Sequence, residues 1–305
     1  RLMRQLQPEI VHAHDAHAVA MISLALSLGG SALRARFVAS RRVDFHVGKN
    51  AFSRWKYRKV ECFLCASASI RSMLIADGIR ADRTTVVHDG IDLKLVGTAL
   101  PLDIHTRFCL PHHAPIVGNV AALVPHKGQR YLIQAAALVV QQVPDVRFLI
   151  VGEGELRATL QKQIKHLRLE KHVILTGFRP DALALLKGFD LFVMSSVTEG
   201  LGTSVLDAMA CERAVVATRA GGIPEIINDE KIGLLVPVRD PSALAEAIVS
   251  LLGDTARRQR YGQAGRLRAH EHFSAERMVD ETAEAYVRLV GTTRATDTSS
   301  RAVAD

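Results

Sequence analysis

Ten short apolar runs, separated by segments of helical period, constrain this chain more than any other feature. In the later part they are Ile116–Val120, Val146–Val151, Val173–Leu175, Leu191–Met194, Ala214–Ala217 and Leu234–Val236. In the earlier part they centre on Ile10-Val11, Phe37–Ala39, Phe63–Cys65 and Val86-Val87. The runs are continuous rather than alternating, which suits parallel strands buried on both faces. Between two of them, Leu132, Ala135, Ala136, Val139, Val140 and Val143 recur at i, i+3, i+4, with Gln134, Gln141 and Gln142 opposite. Strands and helices in alternation imply the α/β class with doubly wound sheets. Ligands of such sheets sit beyond the carboxyl ends of the strands.

The pattern lapses between Asp89 and Ala114, an irregular stretch with Pro101 and Pro111. The expected layout is therefore a first Rossmann-like domain over 1–105 and a second over 106–272. A helix over 273–290 is expected to pack back on the first domain. The tail 291–305, rich in Thr, Ser and Ala, is expected to be disordered. The first domain has four strand candidates and opens on Arg1–Leu6, which reads as the end of a helix. A doubly wound domain ordinarily opens on a strand and a Gly-rich turn, so this one reads as truncated.

Apolar residues make up 48% and charged residues 23% of the 305, the balance of a soluble globular chain. No run of 18 apolar residues escapes interruption; Ile10–Leu28 comes closest, broken by His12, His14, Asp15 and His17. The start lacks the order of a signal peptide. Cys62 and Cys65 have redox-motif spacing, but no second pair completes a zinc site. Two core thiols in a reducing cytoplasm is the simpler reading. Residues 1–100 hold 15 Lys and Arg against 8 Asp and Glu; the remainder is nearly balanced at 24 against 23. A basic first third attracts anionic partners, such as a phosphorylated acceptor or a membrane surface. Nucleic acid is not expected, because no aromatic-interleaved recognition motif accompanies the charge.

Ser195–Met209 is the most informative stretch. It follows an apolar run and opens a helix near Thr203, whose hydroxyl could cap the first turn. Gly200 and Gly202 allow close backbone approach to a ligand. Helix-start amides favour phosphate. Glu199 before the helix and Asp207 within it could border one cleft, where carboxylates accept hydrogen bonds from sugar hydroxyls.

This segment resembles the Glu-x7-Glu signature of retaining GT-B glycosyltransferases of family 4. Other segments are similar to that family in the same order: Ala121–Gly128 with Lys127, Val151–Gly154, Gly177–Arg179, Gly221–Glu225, Gly233–Val236 and Val87–Asp92. The resemblance implies a GT-B fold, two Rossmann-like doubly wound domains facing across a cleft. It implies sugar transfer from a nucleotide diphosphate sugar with retention, in cell-envelope polysaccharide or glycolipid synthesis. It assigns Lys127 to the diphosphate and Glu199 to the donor sugar as the catalytic pair. Asp207 would hold the ribose, and Gly152, Gly200, Leu201, Gly202, Thr203 and Ser204 would line the donor site. Phe178 and Arg179 would flank the base, although core packing accounts for Phe178 equally well. Asp207 stands where the family usually has Glu, and Ala122 where many members have Arg. Arg130 is a candidate replacement cation.

On the acceptor side the candidates are His14, in the run His12-x-His14-Asp15-x-His17, and Arg41 with Arg42. The alternatives for the histidines are a satisfied loop and, less favoured because no clear partner ligand accompanies them, a metal site. No cofactor is expected beyond the nucleotide sugar as co-substrate. No Asp-x-Asp triplet occurs, so no metal dependence is expected. The expected location is the cytoplasm, with peripheral contact on the inner face of the membrane. The rival readings are a nucleotide-sugar-binding fragment without turnover, a sugar-nucleotide epimerase and a nucleic-acid binder.

Overall fold

The structure is a computed structural model that describes residues 2–29, 35–48, 50–227 and 230–301, with side chains through 291. The chain forms two compact units. The first comprises the chain up to Asp89 together with the chain from Glu276 onward; the second is Gly90–Ala275.

The first unit holds a four-stranded parallel sheet in the order β1-β2-β3-β4. The strands are β1 (Ile10–Ala13), β2 (Arg36–Arg41), β3 (Cys62–Cys65) and β4 (Thr84–Val86). Phe37, Val38, Phe63 and Leu64 are buried in it. The helix Ala275–Arg301 returns to this unit: Ala285 joins a buried cluster with Val38, Leu64 and Val87, and Met278, Tyr286 and Leu289 pack against it. Cys62 and Cys65 are free thiols on β3, and burial pushes Cys65 up to about 12, so it behaves as a small apolar residue.

The second unit holds six parallel strands: β5 (Ile116–Val120), β6 (Arg147–Val151), β7 (Val173–Gly177), β8 (Leu191–Met194), β9 (Val215–Thr218) and β10 (Gly233–Val236). Their order is β10-β9-β8-β5-β6-β7. Counted from the first strand of the unit, this is the doubly wound order 3-2-1-4-5-6, whose switch point lies between β5 and β8. Those two strands pair only at Val117 with Leu191 and Gly118 with Phe192. Past that point the amide of Asn119 donates to the Val193 carbonyl at 2.8 Å, bridging the seam with a side chain. Gly118 must be glycine, since a Cβ there would lie 2.0 Å from the Phe189 ring. The helices Gln129–Gln142 and Pro241–Gly253 bury Leu132, Ala136, Val139, Ile248 and Leu251 in one core with β5, β6 and β8.

Two boundaries differ from expectation. The units divide at Asp89/Gly90, not near 105. The Pro-rich stretch is an arm of the second unit: Lys187 Nζ donates to the Ala99 carbonyl at 2.6 Å, Leu102 N to Ala184 O at 3.1 Å, and Ile104 is buried. The final helix also runs on past Gly291 to Arg301, where a disordered tail was expected, because extending a formed helix costs far less than nucleating one. Residues 302–305 lie outside the described residues. Among the described residues no helix is long and apolar enough to cross a membrane.

Candidate functional site

Lys127 closes the short 3-10 turn Pro125–Lys127 after β5, and Glu199 lies in the loop after β8. The two strands flanking the switch point therefore bring these residues together. Lys127 Nζ donates to Glu199 Oε2 at 2.6 Å, and Ser196 Oγ donates to the same oxygen at 3.0 Å. The lysine and glutamate side chains are 20% and 11% exposed, so the pair is sheltered yet reachable.

The backbone beneath them is locked. Val197 N donates to His126 O at 2.7 Å, Ser195 Oγ to Lys127 O at 3.1 Å, and Thr218 Oγ1 to Ser196 O at 2.6 Å. Gly128 and Gly221 sit at φ +66° and +49°; a Cβ would fall 2.1 Å from Ser195 O and 1.6 Å from Glu199 O respectively. Glycine at both positions lets the turns after β5, β8 and β9 close on one another. Ser196 and Thr218, both buried, were missed in the sequence. The available signal was a Ser-Ser pair directly after a wholly apolar strand.

Gly202, at φ +103°, is the N-cap of the helix Thr203–Ala210, and no side chain caps it. Thr203 is thus the first helical residue, not the cap expected from its hydroxyl. Val205 N donates to Gly202 O at 2.9 Å, and the amides of Thr203 and Ser204 are left for water or an anion. Gly200 precedes this turn and Ser204 lies within it. Leu201 is 2% exposed, so its side chain belongs to the core and only its backbone remains at the site. Asp207 lies one turn into the helix. Burial, the only cause, pushes its carboxyl up to about 6. It makes no ion pair and no side-chain hydrogen bond among the described residues, so its acceptor sites are open. The side-chain oxygens Asn119 Oδ1 and Gln129 Oε1 are also buried without a donor.

At the end of β7, Phe178 is 75% exposed, which removes core packing as an account of it. Gly177, at φ +79°, turns the chain outward there. Arg179 donates from Nε and Nη2 to Asp181 at 2.8 and 2.6 Å, so its fork is already engaged by a carboxylate. Gly152 has a packing role: its N donates to Gly177 O at 3.0 Å, and a Cβ would meet Ala121 O at 2.0 Å. Ala122 is exposed. Arg130 does not join Lys127; it stacks on the Tyr131 ring at 4.9 Å.

In the first unit the candidates cluster at the carboxyl ends of β1 and β2. His12 lies between Tyr286 Oη, 2.6 Å from Nδ1, and Ser40 Oγ, 2.8 Å from Nε2. His14 is exposed, with its ring 4.1 Å from that of His12. Arg42 pairs with Asp89 at 2.9 Å. Arg41 is a correction. It is 9% exposed, and its guanidinium donates to the Phe45 carbonyl rather than facing the acceptor side. Arg41 is the last residue of β2, whereas Arg42 lies beyond the strand and is exposed.

Burial, then His14 and Arg42, lower His12 from 6.5 to about 4. The fold favours the neutral ring, which can donate through one nitrogen and accept through the other. Its contribution is complete above the unfolded value and is lost as pH falls from 6.5 toward 4. Hydrogen exchange, corrected for intrinsic rates, is expected to show the 275–291 helix losing protection across that window. His12→Gln should flatten the loss; an identical loss in the variant would assign it elsewhere.

The model described as glycosyl transferases group 1 matches residues 104–268. The model described as glycosyltransferase family 4 matches residues 1–95. The putative glycosyltransferase EpsD of Bacillus subtilis is 38% identical over 166 residues, covering 54% of this chain and 43% of the relative. The GDP-mannose-dependent alpha-(1-6)-phosphatidylinositol monomannoside mannosyltransferase of Mycolicibacterium smegmatis is 38% identical over 161 residues, covering 50% and 42%. This chain thus spans about two fifths of the length of these relatives. Anabaena Alr3699/HepE, solved with UDP and glucose, superposes with a TM-score of 0.82 at 23% identity, covering 93% of this chain and 79% of that one.

Proposed function

The chain belongs to the glycosyl transferases group 1 family, and from that membership we propose that it moves a sugar from a nucleotide diphosphate sugar to an acceptor with retention at the anomeric carbon. The observation that carries this is the Lys127–Glu199 pair at the switch point, beside a helix start that no side chain caps. Lys127 and the helix-start amides would bind the diphosphate and stabilise the charge it gains on leaving. Displaced from the lysine, Glu199 would accept from a hydroxyl of the donor sugar. Asp207 would accept from the ribose, and the exposed ring of Phe178 would offer a face to the base. The reading needs no cofactor and, with no Asp-x-Asp triplet in the chain, no metal.

An acceptor bearing phosphate or carried on an anionic lipid fits the basic first third, with His14 and Arg42 as its first contacts. The relative that acts on a phosphatidylinositol mannoside supports that class, and a role in envelope glycolipid or polysaccharide synthesis. Free cysteines fit the cytoplasm, with peripheral contact at the inner face of the membrane. The rival reading is a nucleotide-sugar binder without turnover.

The deciding assay is a panel of UDP- and GDP-sugars read by thermal shift, then by sugar transfer to a bacterial lipid extract. Stabilisation with transfer supports the enzyme, and stabilisation alone supports the binder. A Glu199→Ala protein with undiminished transfer would remove Glu199 from the site. Ser196→Ala is expected to lower kcat by about tenfold, since one hydrogen bond to a charged group is worth ~1.5 kcal/mol. The nucleotide-sugar KM should change little, and Ser196→Thr should recover most of the loss. Unchanged kcat in the alanine variant would reduce Ser196 to a packing role.

A further inference from the structure

Behind the Lys127 turn, the second unit carries a groove of about 910 Å³ between the helices Gln129–Gln142 and Arg157–His166. Pro125, His126, Val197 and Thr198 of the turns that carry Lys127 and Glu199 form one side of it, but Lys127, Glu199 and Asp207 do not line it, so it adjoins the donor site proposed above without sharing those residues. Its volume falls within the range of small-molecule sites. Leu156, Leu160 and Leu167 give it an apolar floor, while Arg130, Arg239 and His166 stand at its walls. No Asp or Glu lines it.

Neither Arg130 nor Arg239 forms an ion pair among the described residues. Two arginines and no carboxylate in the lining give the groove a positive potential. The Arg130 guanidinium is held over the Tyr131 ring at 4.9 Å, which fixes its place at the groove. Arg239 occupies the left-handed region at φ +60°, a conformation that disfavours side chains other than glycine, and there it reaches the groove.

We propose that this groove binds a phosphate ester with an apolar or ring-shaped body. The planar forks of Arg130 and Arg239 match phosphate oxygens, and two cations suit a dianion better than a single carboxylate. The body of the ligand would lie on the leucine floor. The phosphate could come from a lipid headgroup or from a soluble sugar phosphate.

Calorimetry with two probes separates the sources: dihexanoyl phosphatidic acid for the lipid and glucose 6-phosphate for the soluble ester. At least one should bind the full chain, and its affinity should fall tenfold or more in the Arg130→Ala/Arg239→Ala protein. Binding should survive Lys127→Ala, and UDP affinity should be unchanged in the double variant. Thr159→Glu, which places a carboxylate at an exposed position of the wall, should abolish binding without relying on the arginines. Thermal midpoints within a degree or two of the parent would show that the variants fold. Absence of binding by both probes at millimolar concentration overturns the proposal, as does undiminished binding in the double variant.

Discussion

Lys127→Ala is expected to lower kcat/KM for sugar transfer by about 100- to 1000-fold, the usual effect of removing one donor aimed at developing charge. Most of the loss should fall on kcat, because the leaving diphosphate carries more negative charge in the transition state than in the bound sugar nucleotide. In the structure the ammonium is held by Glu199, itself held by Ser196. On the proposed reading, an arriving diphosphate would take the lysine from its carboxylate and free that carboxylate for a sugar hydroxyl. The variant removes the exchange and leaves Glu199 with Ser196 alone, so a thermal melt must accompany the kinetics. Lys127→Arg restores charge with a bulkier, planar fork and should recover only part of the rate. Full activity in the alanine protein would end the assignment.

Asp207→Asn should make the empty protein more stable and weaken its hold on nucleotide. The carboxyl has a folded pKa of about 6 against 3.8 unfolded, with burial as its cause. Between those values the folded state binds the proton more tightly, so stability falls as pH rises through the window and stays lowered above it. At pH 7 the penalty is on the order of 2–3 kcal/mol, and asparagine should remove it. A rise in Tm of roughly 5–10 °C is expected for a unit of this size. UDP affinity should fall about 10- to 100-fold as the charged acceptor is lost. Asp207→Glu, which restores the residue more usual in the family, should retain most of the affinity. An Asn variant that is no more stable at pH 7, or that binds UDP unchanged, would show that Asp207 is already satisfied.

Most of the scaffold was legible because burial on both faces leaves a direct trace in a parallel strand. Leu191–Met194 and Ile116–Val120 could hardly be anything else. Lys127 and Glu199 stood out because each lies beside a glycine after an apolar run and because those segments resemble the family's pattern; the fold brings the two side chains together. What failed was whatever depends on a partner distant in sequence. The stretch around Pro101 reads as a linker until Lys187 is seen to donate to Ala99. Arg41 reads like Arg42 until the strand turns it inward onto Phe45. Ser196 and Thr218 are ordinary small polar residues until three turns are stacked on one another. Thr203 looked like a cap because hydroxyls usually are, and Gly202 took the place by adopting a left-handed conformation.

The seam at Asn119 bears on kinetics. Where β5 and β8 stop pairing, the side-chain amide takes over from the backbone ladder and holds the parted strands at a fixed gap. A gap held this way is part of the sheet and is set by the fold itself. On the proposed reading, nucleotide capture by the second unit is expected to be a single bimolecular step, with a rate proportional to ligand concentration; a plateau in that rate would show that the site has to rearrange first.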